Sequence, residues 1–204
     1  GSPRYSLRAR NNEFAKLDVL EQGIKEAHER NKKFFLTVNT LPHNSKLKTF
    51  VSDMEPLIAM KPDALIMADP GLIMTVREKW PEMPIHLSVQ ANTTNYWGVK
   101  FWQNIGVERI ILSRELSMEE IAEIRQECPD IELEVFIHGA LCIAYSGRCL
   151  LSGYFNHRDP NQGTCTNSCR WDYKVHNAVE SDAGDAQLLQ GFNFEKAQEE
   201  ANQN

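Results

Sequence analysis

What the 204-residue chain lacks narrows the field before any motif is weighed. No apolar run approaches the roughly 20 residues that cross a bilayer, and the N-terminus has no basic, apolar and cleavable succession of the exported kind. The expectation is a soluble, cytoplasmic protein with no membrane partner. Eleven glycines and nine prolines are too few for a collagenous chain, and 42% hydrophobic residues are too many for a disordered one. The phosphate-binding P-loop, the dinucleotide G-x-G-x-x-G and the hydrolase G-x-S-x-G are all missing. His28-Glu29 opens like a zinc-protease helix, but position 32 is Lys where the second histidine belongs. Asn92-Thr93-Thr94 satisfies the glycosylation sequon and is read as a chance match.

Cysteine is absent from the first 127 residues and then concentrated. Cys142, Cys149, Cys165 and Cys169 follow a C-x6-C-x15-C-x3-C spacing. Without a secretory signal, such a set points to metal or redox chemistry before disulfides. Four thiolates can complete the first shell of a structural Zn²⁺ or of a [4Fe–4S] cluster. The wide first pair suits an ordinary zinc knuckle poorly, which favours iron–sulfur and leaves Zn²⁺ as the alternative. Cys128, before Pro129 at the end of a predicted helix, reads as a structural thiol.

The net charge of −6 misrepresents most of the chain. Residues 176–204 carry six acidic side chains against Lys196 alone, so that segment holds −5 and residues 1–175 hold −1. Within the nearly neutral body, Arg4, Arg8 and Arg10 crowd the start, and Arg148, Arg158 and Arg170 lie among the cysteines. An acidic average can therefore hide a basic face.

Between residues 33 and 138 the hydrophobic period alternates between short aliphatic runs and helical patterns. Strands are predicted at Phe34–Val38, Ala64–Ala68, Ile85–Val89, Arg109–Leu112 and Glu132–Ile137. An amphipathic helix is predicted over 45–60 with Pro56 kinking its last turn, and another over about 95–105 ending at Gly106. Asp69-Pro70 marks a helix start. Ser117 with Glu120 reads as a capping box, and Leu116 with Ile121 as a hydrophobic staple.

Alternation of this kind implies an α/β fold with a parallel sheet. Such sheets place ligand chemistry beyond the C-terminal ends of their strands. The residues just past those ends are Asn39, His43, Asp69, Gln90, Asn92, Ser113-Arg114-Glu115 and His138-Gly139. Beyond Gly139 the pattern gives way to a loop-rich cysteine module, and residues 176–204 read as an acidic flexible tail. Cys142 lies four residues past His138, so a cluster would sit over the strand ends. Tyr145 and Arg148, inside the first cysteine loop, could hold a planar or anionic ligand beside it.

The run Glu134-Val-Phe-Ile-His-Gly-Ala-Leu-Cys142-Ile-Ala-Tyr-Ser-Gly-Arg-Cys149-Leu-Leu-Ser152 resembles the signature of the collagenase-like, U-type peptidase family, whose catalytic type is unassigned. Every fixed position of E-x-F-x-x-G-[SA]-x-C-x4-G-x-C-x-x-S is matched. The opening Pro3–Asn12 and the stretch Asn156–Trp171 resemble one branch of that family, and the likeness covers about residues 3–175.

The resemblance implies a barrel-like domain and hydroxylation of RNA or quinone precursors, with a [4Fe–4S] cluster in several members. The branch resembled is associated with prephenate-dependent formation of 5-hydroxyuridine at the tRNA wobble position. The implied partners are tRNA and prephenate, and the implied cluster ligands are Cys142, Cys149, Cys165 and Cys169. Arg4, Arg8, Arg10, Tyr145, Arg148, Arg158 and Arg170 become candidate substrate contacts. His138 and Asp159 are candidates for moving protons. Family members begin with a further strand and helix and continue into another domain. The expectation is therefore a partial TIM-like (β/α) barrel over 1–139, a four-cysteine module over 140–175 and a tail over 176–204, with Gly1-Ser2 a cloning remnant. Two rival readings are a collagenase-like peptidase and a zinc-stabilised RNA-binding module.

Overall fold

The computed structural model describes residues 1–139, 142–174, 177–180, 182 and 186–189. Five strands, β1 (Phe35–Val38), β2 (Ala64–Met67), β3 (Ile85–Leu87), β4 (Arg109–Ile111) and β5 (Glu132–Glu134), form one parallel sheet in sequential order. The intervening helices are α2 (Asn44–Leu47), α3 (Phe50–Ala59), α4 (Pro70–Lys79), α5 (Tyr96–Asn104) and α6 (Met118–Glu127), with α1 (Leu17–Glu29) preceding β1. Every crossover steps in the same direction, and right-handed crossovers then put the helices on one face. That is the arrangement of a barrel segment; a doubly wound sheet would reverse its strand order.

Strand side chains sort by alternation. Leu36, Val38, Leu65, Met67, Ile85, Leu87, Ile110 and Leu112 join the buried core, together with Leu20, Met54, Ile73, Val76, Val99 and Ile124 from the helices. On the other face, Phe35 meets His86 edge-on at 4.6 Å, and the Arg109 guanidinium lies 5.2 Å from the Phe35 ring. Arg109 also pairs with Glu132 at 2.6 Å and Glu134 at 3.4 Å.

Local signals hold where they are chemical. The Asp69 carboxylate accepts from Leu72 N at 2.9 Å and starts α4. Ser117 and Glu120 exchange both bonds of the capping box. Gly106 follows α5 with φ +86°, where a β-carbon is disfavoured.

Elements depart from expectation where packing intervenes. The helix expected over 45–60 is two helices, broken at Lys48–Thr49. There Thr49 leaves helical geometry and its hydroxyl donates to Asp53. The third strand stops at Leu87, because the Ser88 hydroxyl accepts from Gln90 N and opens a 3₁₀ turn over Val89–Ala91. The fifth stops at Glu134: it is an edge strand, paired on one side with β4, and Ile137 beyond it is 92% exposed. The sequence reading placed no helix over 17–29, where the buried residues are just Leu20 and Ile24, one turn apart.

The N-terminal residues lie along β1. Ser2 N donates to Thr37 O at 2.9 Å and Thr40 N to Tyr5 O at 3.0 Å. Buried Tyr5 packs edge-on to Phe50, and its hydroxyl donates to Asp53 Oδ2 at 2.7 Å. Burial, reinforced by that carboxylate, raises the phenol pKa above its ordinary value.

The chain divides into two compact units, 1–169 and 170–204. The first includes α7 (Leu151–Asn156) and all five cysteines. In the second, β6 (Asn177–Glu180) pairs antiparallel with β7 (Ala186–Leu189), and the rings of Trp171 and Tyr173 stack. Most of the segment read as a flexible tail, 176–204, lies outside the described residues. Among the described residues no helix is long and apolar enough to cross a membrane.

Candidate functional site

The C-terminal ends of the strands carry a connected set of amides and hydroxyls. Asn39, after β1, accepts from Leu7 N at 3.2 Å and donates to Ser88 Oγ at 3.1 Å. Gln90, after β3, donates to Asn161 Oδ1 at 3.2 Å and accepts from Gly147 N at 3.1 Å. Asn92 donates to Ser113 Oγ at 2.9 Å and to Glu115 Oε2 at 3.4 Å. The other Glu115 oxygen accepts from Ser146 N at 3.0 Å. These side chains dock the segment 144–149 and the turn at 160–163 onto the sheet.

The docking explains two glycines. Gly147 has φ +76°, and a β-carbon there would fall 2.2 Å from the Gln90 carbonyl oxygen. Gly163 has φ +93°, and its β-carbon would lie 2.8 Å from Ser6 O. Both positions need the left-handed backbone and the missing side chain together.

Cys142 is exposed, Cys149, Cys165 and Cys169 are half-buried, and all four are free thiols. Among the described residues no three His, Cys, Asp or Glu side chains come together as a metal-holding group. Four thiols are donors that suit iron or zinc. Near them, Asn161 Nδ2 donates to Cys149 O at 3.5 Å, and Cys165 Sγ lies 3.8 Å from Asn167 Oδ1. Cys128 is buried against Tyr96 O, and burial pushes its thiol pKa up, as suits a structural role.

The other expected site residues separate into two kinds. Tyr145, Arg148 and Arg158 are exposed on the docked loops, and Arg170 is exposed at the start of the second unit. Arg8 and Arg10 are exposed near the N-terminus, and Arg8 lines a cleft of about 330 Å³ with Ser6, Asn12, Thr37 and Asn39. Arg4 is committed: it pairs with Asp53 at 2.7 Å and donates to Thr49. Asp159 caps the 160–162 turn, its carboxylate accepting from Asn161 N at 2.8 Å. His138 is exposed beyond the edge strand. His43 offers backbone N–H to Gln162 Oε1, and Asp69 is a helix cap. Sequence reasoning flagged Gln90, Asn92 and Glu115 by position alone. Their work on the loop at 144–149 depends on contacts between residues as many as 57 apart.

A larger cleft of about 450 Å³ opens at the opposite end of the strands, lined by Lys33, Phe35, His86, Arg109 and Glu132 among others. His86 is 6% exposed and its Nδ1 has no partner. Burial, aided by Arg109, pushes its pKa down to about 4, so the imidazole is neutral. In parallel (β/α) architectures this end serves stability while the C-terminal end carries chemistry. The Arg109–Glu132–Glu134 pairing fits that division.

The sequence matches the model of peptidase family U32 over residues 1–203. It is 66% identical over 184 residues to tRNA hydroxylation protein P of Escherichia coli K12, covering 90% of this chain and 40% of that protein. It is 34% identical over 175 residues to the 23S rRNA 5-hydroxycytidine C2501 synthase of the same strain, covering 86% and 26%. The solved structure of the U32 peptidase Mk0906 aligns with a TM-score of 0.50 at 17% identity, over 57% of this chain and 50% of that one. The chain thus spans about two-fifths of the tRNA hydroxylation relative it matches, and the solved structure supports the fold.

Proposed function

Since the chain belongs to peptidase family U32, we propose that it is part of an RNA-hydroxylating enzyme. In the finer reading its substrate is the wobble uridine of tRNA, its product is 5-hydroxyuridine, and prephenate is the co-substrate. The observation that carries this is the identity of 66% with a protein named for tRNA hydroxylation, supported by the more distant relative that makes 5-hydroxycytidine in rRNA. Both names describe hydroxylation of RNA, the second at a cytidine.

The site's own chemistry is compatible with this reading. The docked loops present Tyr145, Arg148 and Arg158 to solvent beside the strand ends. Guanidinium groups bind phosphate or carboxylate through paired donors, which suits both an RNA backbone and a dicarboxylate co-substrate. Converting uridine C5–H to C5–OH is a two-electron oxidation that side chains alone do not supply, so a redox cofactor is needed. We propose Cys142, Cys149, Cys165 and Cys169 as the donor set for a [4Fe–4S] cluster. Such a cluster supplies one-electron chemistry when bound.

Peptide hydrolysis is less well supported. A hydrolase needs a bound metal such as zinc, or a nucleophile poised against an oriented base. The His–carboxylate ion pair among the described residues, His28–Asp63 at 2.9 Å, joins α1 to the residue preceding β2, at the end of the sheet away from the docked loops. Nucleoside analysis of tRNA from cells with and without the complete gene tests the proposal. Loss of the 5-hydroxyuridine-derived nucleosides on deletion is expected, and an unchanged level overturns it.

A further inference from the structure

The segment Tyr145–Arg148 is a β-turn, closed by Arg148 N donating to Tyr145 O at 3.1 Å. Gly147 occupies its third position with φ +76°, as a type II turn requires. The N–H groups of the two central residues do not close such a turn and ordinarily face water. Here each is taken by a long side chain from a different strand-end loop: Ser146 N by Glu115, and Gly147 N by Gln90.

Both acceptors are themselves fixed. Asn92, in left-handed backbone at φ +51°, bridges Glu115 to Ser113, and Asn161 accepts from Gln90. One residue earlier, Arg114 donates to Ala144 O at 3.5 Å. Ser146 is buried beneath the turn, whereas Tyr145 is 65% exposed and Arg148 is exposed. The docked side thus lies against the sheet, and the two end residues of the turn project from it. Turn ends lie within about 7 Å of each other, so a ring and a guanidinium are presented together.

We propose that Gln90, Glu115 and Asn92 are positioning residues that lock this turn so that Tyr145 and Arg148 jointly receive an unpaired RNA base and its phosphate. This rests on the RNA-hydroxylation reading above. An aromatic face accepts any base by stacking, and an adjacent cation meets the backbone. A turn left free would lose that joint presentation, because each contact would then have to order the loop as well.

The test uses the chain with Glu115→Ala, Gln90→Ala, Tyr145→Ala and the two double variants that combine each clasp substitution with Tyr145→Ala. Two quantities are read: hydrogen exchange of the Ser146 and Gly147 amides, and affinity for an anticodon stem-loop RNA. Each clasp substitution is expected to speed exchange at its own amide and to weaken RNA binding about ten-fold. In the Tyr145→Ala background the same substitution is expected to cost little further affinity, which a merely structural role would not produce. Full RNA affinity in both clasp variants, or costs that simply add in the double variants, overturns the proposal. Absence of RNA binding by the unsubstituted chain overturns the RNA reading itself. Accelerated exchange in the clasp variants would still show that the turn is locked, so the two failures are distinguishable.

Discussion

Gly147 N donates to Gln90 Oε1 at 3.1 Å, while the Gln90 carbonyl oxygen sits 2.2 Å from where a β-carbon on Gly147 would be. The same residue thus approaches position 147 twice, through its side chain and its backbone, and leaves room for glycine alone. Gly147→Ala should therefore destabilise by about 2 kcal/mol or more, combining left-handed backbone cost with the displaced contact. Chemical denaturation measures it, and a loss below about 0.5 kcal/mol, the level of an ordinary surface substitution, contradicts the tight docking.

His86 gives a pH dependence with a definite sign. Its folded pKa of about 4 lies below the ordinary 6.5, so the unfolded chain takes the proton first. The neutral imidazole's contribution is complete above about pH 6.5 and is lost as pH falls toward 4, by about 3 kcal/mol in all. The groups around it are Phe35, Arg109, Glu132 and Lys33. His86→Leu should flatten the stability curve in that window when compared with the parent, since Nδ1 has no partner to lose. Parallel curves between pH 4 and 6.5 would show that His86 does not titrate as described.

Anaerobic iron and sulfide reconstitution followed by elemental analysis tests the cysteine set. The parent chain should bind about four irons with thiolate-to-iron absorbance. Serine at Cys142, Cys149, Cys165 or Cys169 should reduce the iron bound, whereas Cys128→Ser should leave it unchanged, because that thiol is buried under Tyr96. No iron on the parent, or equal loss from Cys128→Ser, contradicts the assignment.

Asp53 gathers Tyr5, Arg4 and Thr49 onto one carboxylate. Asp53→Ala should cost about 1–3 kcal/mol by removing the acceptor that Arg4, Tyr5 and Thr49 share, Lys46 O at 3.2 Å remaining for the Tyr5 hydroxyl, and should speed proteolysis within residues 1–12. Unchanged proteolysis would mean that the strap is held by its backbone bonds to β1 alone.

Much of the architecture is legible because its signals are local. The core strands announce themselves as aliphatic runs, and Asp69 and Ser117 cap helices with their own side chains. Boundaries fail where tertiary contacts enter: Asp53, which Thr49 meets at the helix break, is also held by Arg4 and Tyr5 from 49 and 48 positions away, and β5 ends early as an edge strand. Candidate site residues read by composition fare unevenly for the same reason. Arg4 and Arg148 are alike in sequence, but Asp53 claims the first while the second stands on an exposed turn.

The sequence by itself determined the βα period, the four-thiol spacing and the family signature, because each is a matter of residue type at fixed separation. Only the tertiary structure decided what those residues do next. It joined Gln90 to Gly147 and Glu115 to Ser146 across 57 and 31 positions. Hydrogen bonds and burial act at a few ångströms in space, a distance that spacing along the chain does not encode.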